Sequence, residues 1–195
     1  MNDRTGPGPA SPVVLAAIAI GLLALVTASA ATAPKTRRAV WEEHDTTIDL
    51  EHLQKSYSCS DLTYKIHDVL QAIGARPDIR IYLSQCAPEL DTRVTAPRAH
   101  LIFSLPVEVR GALADFYDTF AVERTVRIEP GNPPSVDFSD CSLLRQLLVT
   151  LFESESMPAQ VNHLDCGAAA ARHVPFSLSV EALIAAPEPA RAGLT

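Results

Sequence analysis

The stretch CSDLTYKIHDVLQAIGARPDIRIYLSQC, residues 59–86, decides the fold. Its first half places apolar residues at helical spacing, and Gly74 and Pro77 end that pattern. Its second half alternates apolar and polar residues, which is typical of a half-buried strand. The apolar positions are Leu62, Ile66, Val69, Leu70 and Ile73 in the helix, and Ile79, Ile81 and Leu83 in the strand. The stretch therefore predicts a helix and a returning strand between two cysteines.

The two elements have matching lengths, which brings the cysteines together. A helix from Cys59 to Gly74 rises about 24 Å at 1.5 Å per residue. A strand from Ile79 to Cys86 runs back over about 26 Å. We therefore predict a Cys59–Cys86 disulfide.

A second copy of this block, CSLLRQLLVTLFESESMPAQVNHLDC, occupies residues 141–166 and predicts a Cys141–Cys166 disulfide. A bridge between the two copies is the alternative pairing, whereas the cysteines lack the close spacing of zinc ligands. Ser58 and Asp140 precede the two helices as candidate N-caps. In the second strand His163 takes the place of Leu83, unless the register shifts. The apolar helix positions of this copy are Leu144, Leu148, Leu151 and Phe152.

Each block is followed by a further strand, HLIFSLPVEV at 100–109 and HVPFSLSVEA at 173–182. One face of each strand is apolar, formed by Leu101, Phe103, Leu105, Val107 and Val109 in the first copy and by Val174, Phe176, Leu178 and Val180 in the second. The other face repeats His, Ser and Glu, which makes it a candidate surface site comprising His100, Ser104, Glu108, His173, Ser177 and Glu181. Antiparallel pairing of the two copies would place His100 opposite Glu181, although Pro106 and Pro175 disfavour that arrangement.

These patterns predict an α+β fold of two tandem pseudo-symmetric helix–strand–strand units. The helices are expected to pack on one face of a mainly antiparallel sheet. The units span 40–110 and 120–185, with a linker at 31–39, a connector at 111–119 and a flexible tail at 186–195. FAVERTVRI, residues 120–128, predicts a strand that leads into the second unit.

The N-terminal segment has the features of a secretory signal. The apolar run VVLAAIAIGLLALV, residues 13–26, ends near the small residues Ala28, Ser29 and Ala30. We predict a signal peptide over 1–30 and a periplasmic or secreted protein. An uncleaved anchor is the alternative, in which case the chain would meet the membrane only through residues 13–33.

Composition and the lack of known motifs reduce the number of function classes that this chain could belong to. A net charge of −7 without a basic block argues against nucleic acid as a partner. The sequence contains no phosphate-binding or hydrolase motif, and we predict no catalytic, cofactor-binding or metal-binding residue and no cofactor. His44, His52 and His67 are expected to be solvated, and Trp41 and Tyr57 to serve in packing.

The expected function is therefore non-catalytic binding of another envelope or extracellular protein. The alternatives are a secreted hydrolase with dispersed active-site residues and a disulfide-stabilised enzyme inhibitor. An inhibitor would use the loop APELDTRVTAPRA, residues 87–99.

Overall fold

The computed structural model describes residues 35–51, 53–86, 93–110, 118–154, 166 and 176–186. All of them belong to the second of the two units into which the chain divides, Pro34–Thr195. The elements are β1 (Thr36–Asp49), β2 (Tyr57–Ser58), α1 (Cys59–Ala72), β3 (Arg80–Leu83), β4 (Arg93–Val94), β5 (Arg98–Glu108), β6 (Thr119–Ile128), a short 3-10 helix (Phe138–Asp140), α2 (Cys141–Ser154) and β7 (Leu178–Ala186). The predicted α+β class is confirmed, while β1 begins inside the segment predicted as a linker.

Five strands form an antiparallel sheet in the order β3-β5-β1-β6-β7, and β2 pairs separately with β4. β1 pairs with β5 within residues 36–108, and β6 pairs with β7 within residues 119–186; these two segments are called the first and second half below. The halves meet where Thr36–Ala39 of β1 pairs with Thr119–Val122 of β6. The two repeated strands do not pair with each other, which rules out the antiparallel hypothesis that Pro106 and Pro175 disfavoured: β5 pairs with β1 and β3, whereas β7 pairs with β6.

The core forms where both helices meet inward-facing strand residues. Leu101, Phe103 and Leu105 of β5 are buried as predicted, and so are Leu178 and Val180 of β7. Val107 departs from this pattern, since it is 37 % exposed. From α1 and its C-cap the core receives the predicted Leu62, Ile66, Val69, Leu70 and Ile73. From α2 it receives the predicted Leu144, Leu148 and Leu151 together with Leu143 and Leu147, whereas the predicted Phe152 is only partly buried.

The ends of α1 follow local rules. The Ser58 hydroxyl accepts a hydrogen bond from the Asp61 N–H at 3.1 Å and caps the first turn, as predicted. At the other end Ile73 is the C-cap. Gly74 has a positive φ of 102°, which residues other than glycine rarely adopt. The helix therefore stops at the position that the glycine predicts.

Both predicted disulfides are present, Cys59–Cys86 and Cys141–Cys166, with Cα–Cα distances of 5.8 and 5.5 Å. Each one fastens the first residue of a helix to a residue later in the chain. Two disulfides are typical of proteins in oxidising compartments and are consistent with an exported protein. Among the described helices, none has the length and apolarity needed to cross a membrane.

Candidate functional site

A cavity of about 340 Å³ opens between β5 and β7. Its walls are mainly apolar, whereas charged side chains gather at its rim. Its volume is at the lower end of the range typical of ligand pockets. The residues that line this β5–β7 cavity are Arg37, His44, Ile73, Leu105, Pro106, Val107, Glu108, Arg110, Glu123, Phe152, Glu181, Ala182 and Leu183.

Gly74 lets the end of α1 approach the β7 wall of the cavity. A Cβ atom at this position would lie 2.6 Å from the carbonyl oxygen of Leu183 and 2.9 Å from the Ile184 side chain. Such a contact with backbone is closer than packed atoms tolerate. The absence of a side chain at Gly74 thus brings Ile73 to the cavity wall next to β7.

The charges at the rim are organised around Arg37. Its guanidinium donates to Glu108 at 2.8 Å and to Glu123 at 2.5 Å, and so joins β1 to β5 and β6. Arg110 donates to the same Glu108 oxygen at 2.7 Å. Hydrogen bonds from Arg110 and then from Arg37 hold the pKa of Glu108 below its usual value, although its desolvation acts in the opposite direction. Glu108 is therefore held as a carboxylate, a poor choice for a general acid or base near neutral pH.

Glu181 differs from the other rim carboxylates. It is exposed on β7, and within the described part of the chain it forms no ion pair. Lys35 and Arg124 line a groove that continues from Glu181, but neither lies within ion-pair distance of its carboxylate. Glu181 is thus a negative charge at the mouth of an apolar cavity.

His44 lies in the cavity wall and is only 5 % exposed, so the prediction that it is solvated is wrong. Its ring stacks on Phe103, with 5.3 Å between the ring centroids and 23° between the planes. The β1 register places it opposite Phe103 on the inward face of the sheet. Its isolation in the sequence hid this position, because the strand pattern around it is mostly polar.

The structure divides the predicted outer-face site between two places. Glu108 and Glu181 both line the cavity, whereas His100 does not line it: it lies 2.6 Å from Asp45 and stacks against Tyr82. Ser104 was expected on an open face but is buried. Ser177 is exposed just before β7, and His173, like the His163 position, lies outside the described residues.

Sequence reasoning also missed a buried polar network between α1 and the start of α2. Asp140 is fully buried and accepts hydrogen bonds from Lys65 at 2.8 Å and from the Tyr57 hydroxyl at 2.9 Å. Lys55 lies 3.0 Å from the carboxylate oxygen that Tyr57 also bonds. Asp140 is thus not the N-cap of α2 that we predicted, because its side chain turns inward and Asp137 caps the preceding 3-10 helix.

One signal for this network was present in the sequence. Lys65 occupies the apolar stripe of α1, three residues after Leu62 and four before Val69, and a lysine there needs a buried partner. Tyr57 was expected in packing, and it is buried as expected but also donates to Asp140. The network is saturated with internal contacts, which favours a structural role over a site for a ligand.

Within the described ranges, His, Cys, Asp and Glu side chains form no cluster of three that could hold a metal ion. No family model, curated protein or solved structure matches this chain. The function is therefore argued from the β5–β7 cavity itself.

Proposed function

We propose that this chain is an exported, disulfide-stabilised binding protein that holds an apolar group of its ligand in the β5–β7 cavity. The observation that carries the proposal is the cavity: about 340 Å³, with walls that are mainly apolar. An apolar cavity of this size favours a ligand, because transfer of apolar surface out of water contributes about 25 cal/mol per Å².

The charges at the rim support binding rather than catalysis. Glu108 and Glu123 both accept from Arg37, so these carboxylates are engaged in fixing the wall. A hydrolase would need a nucleophile or a general base positioned at the reacting atoms. The alternative of a secreted hydrolase gains no supporting contact here. Of the loop that an inhibitor would use, residues 87–92 lie outside the described residues, and residues 93–99 form β4, a bend and the start of β5.

The partner that we propose is another envelope or extracellular protein. The net charge of −7 continues to argue against nucleic acid. We also infer that the two disulfide-bearing halves derive from one duplicated unit. The shared order of strand, helix and closing strand supports this inference, and the cavity then lies where the closing strands of the two halves approach each other.

Indole titration followed by backbone amide NMR of the oxidised protein tests the binding function. We expect shifts at 105–108 of β5 and 181–183 of β7, because small aromatic molecules enter apolar cavities of this kind. Val107→Trp fills the cavity from its exposed side and should abolish these shifts.

Thr47→Trp is the matched control, since Thr47 is exposed on β1 and does not line the cavity. This variant should keep the response to indole. Indole shifts that persist in Val107→Trp, or that fall elsewhere in the protein, would refute the proposed function.

A further inference from the structure

The β5–β7 cavity is flanked by two strand edges that no described strand covers. On one side β5 pairs with β1 over its length, but on the other side it pairs with β3 only from Ala99 to Ile102. On this second side the Arg76 N–H donates to the Ser104 carbonyl at 3.0 Å. Residues 105–108 have no strand partner on this side in the described chain. β7 pairs with β6 alone. The cavity therefore adjoins two rows of backbone donors and acceptors.

The residue types agree with an open edge on β5. Pro106 has no N–H to donate, and proline within a sheet is found at edges or bulges because it cannot complete a ladder. Its place in β5, opposite Trp41 of β1 and beyond the end of β3, satisfies that rule.

The edge of β7 has little of the usual protection against pairing, apart from the end of α1, which contacts it at Leu183 and Ile184. Sheet edges are commonly short or carry charged side chains that prevent strand addition. β3 follows this pattern, since it has four residues and exposes Arg80 and Tyr82. β7 has nine residues, LSVEALIAA, and Glu181 is its one charged side chain. A long apolar edge of this kind is suited to receive another strand.

We propose that the ligand of the β5–β7 cavity is an extended polypeptide segment of a partner protein, which adds as a strand along the open edge of β7 and toward β5. An apolar side chain of the segment enters the cavity, and a basic side chain lies beside Glu181. This inference rests on the proposed function and specifies its ligand.

Charge complementarity selects the basic residue. Glu108 and Glu123 already pair with Arg37, whereas no described cation lies within ion-pair distance of Glu181. A cation that arrives with the ligand gains this interaction without breaking an existing one. The segment must be polypeptide rather than a small apolar molecule, because only a backbone can pair with the N–H and C=O groups of the strand edge.

Selection from a displayed library of random nine-residue peptides on the wild-type protein tests the proposal, with counter-selection on Val107→Trp. We expect enriched peptides that alternate apolar and polar residues and contain Lys or Arg. Synthetic copies should slow amide hydrogen exchange at Glu108 of β5 and in 179–182 of β7. Copies N-methylated at alternate residues should bind at least tenfold more weakly, because they cannot pair with an edge.

Glu181→Gln should lower the affinity of the protein for the basic peptides about fivefold. Glu43→Gln is the matched control, since Glu43 is an exposed carboxylate that does not line the cavity, and it should leave the affinity unchanged.

Three results would overturn this inference: no enriched peptide, equal affinity for the N-methylated copies, or edge amides that are already protected in the free protein. If indole still binds in any of these cases, the proposed function survives and only the peptide ligand is refuted. Loss of both indole and peptide binding would refute the two proposals together.

Discussion

Lys65 lies 2.8 Å from Asp140, so a lysine on the apolar stripe of α1 meets a fully buried carboxylate next to the first residue of α2. The pair joins the two halves of the chain through side chains, at a distance from the four-residue pairing of β1 with β6. Its partners Tyr57 and Lys55 saturate the carboxylate. Where α1 meets the start of α2, the contact is therefore made by this polar network instead of apolar side chains.

Removal of the buried cation should destabilise the fold more than removal of the outer one. Lys65→Met leaves Asp140 buried with fewer donors, and we expect a loss of about 3 kcal/mol in the free energy of unfolding. Lys55 is more exposed, and Lys55→Met should cost about 1 kcal/mol or less. Urea denaturation measures both values. A Lys55→Met variant as damaged as Lys65→Met would contradict this ranking.

Alkaline pH should weaken the fold through the same network. Burial, followed by the Asp140 carboxylate, raises the pKa of Tyr57 far above its usual value of 10.0. Burial opposes the charged form of Lys65, but contacts with Asp140 outweigh this and raise its pKa as well. A raised pKa stabilises the fold fully below the unfolded-state pKa and progressively less above it. Stability should thus fall as the pH rises above about 10.

Tyr57→Phe separates the contribution of Tyr57 from that of Lys65 to the loss of stability at alkaline pH. The variant cannot ionise at this position, so its stability should fall less steeply above about pH 10 than that of the wild type. Urea midpoints measured between neutral and alkaline pH provide the comparison. Equal slopes in the two proteins would show that Tyr57 does not contribute.

Acid pH acts on the opposite side of the network, at Asp137. Partial burial would raise the pKa of Asp137, but hydrogen bonds from Lys55 and Ser139 prevail and lower it well below its usual range. A lowered pKa contributes stability that is present above the unfolded value, about 3.9, and is lost as the pH falls further. Asp137→Asn should therefore flatten the acid limb of the stability curve, as measured by thermal unfolding. An unchanged acid limb would disprove this role.

Two glycines provide a matched test of the contact between α1 and β7. Gly74 and Gly131 both have positive φ, at 102° and 85°, but only Gly74 would place a Cβ against other atoms. Gly131→Ala should cost about 1 kcal/mol from backbone strain. Gly74→Ala should cost about 1 kcal/mol more and should weaken indole binding, because β7 must move away from the end of α1 and displace the cavity wall that it forms. Equal costs in thermal unfolding would argue against the close approach.

Local patterns predicted the elements of this protein well, because they depend on neighbouring residues. The α1 stripe, the Ser58 cap, the Gly74 stop and both disulfides follow from spacing and chain geometry. Strand order does not follow from spacing, since it depends on which strand edges meet in the folded chain. The hypothesis that the two repeated strands pair with each other was therefore wrong. The linker at 31–39 was misplaced for a similar reason: Thr36–Ala39 is polar by itself and becomes a strand only through β6 and β5.

In the candidate site too, local patterns could be predicted from the sequence, whereas features that depend on tertiary contacts could not. Glu108 and Glu181 were singled out because they repeat, and both line the cavity, but the cavity itself arises from two strands that are not neighbours in the sheet. His44 and Lys65 carry polar side chains into the interior, and burial of this kind depends on tertiary contacts. Among these, only the position of Lys65 on an apolar helix stripe could have been recognised in the sequence.

The short pairing of β1 with β6 has a consequence for the order of folding. Thr36–Ala39 and Thr119–Val122 are farther apart along the chain than the residues of any other strand pair among the described elements. Closing such a long loop costs entropy that four residue pairs repay poorly. We expect each half to form its own pair of strands first, so that the middle of the finished sheet is the last part to assemble.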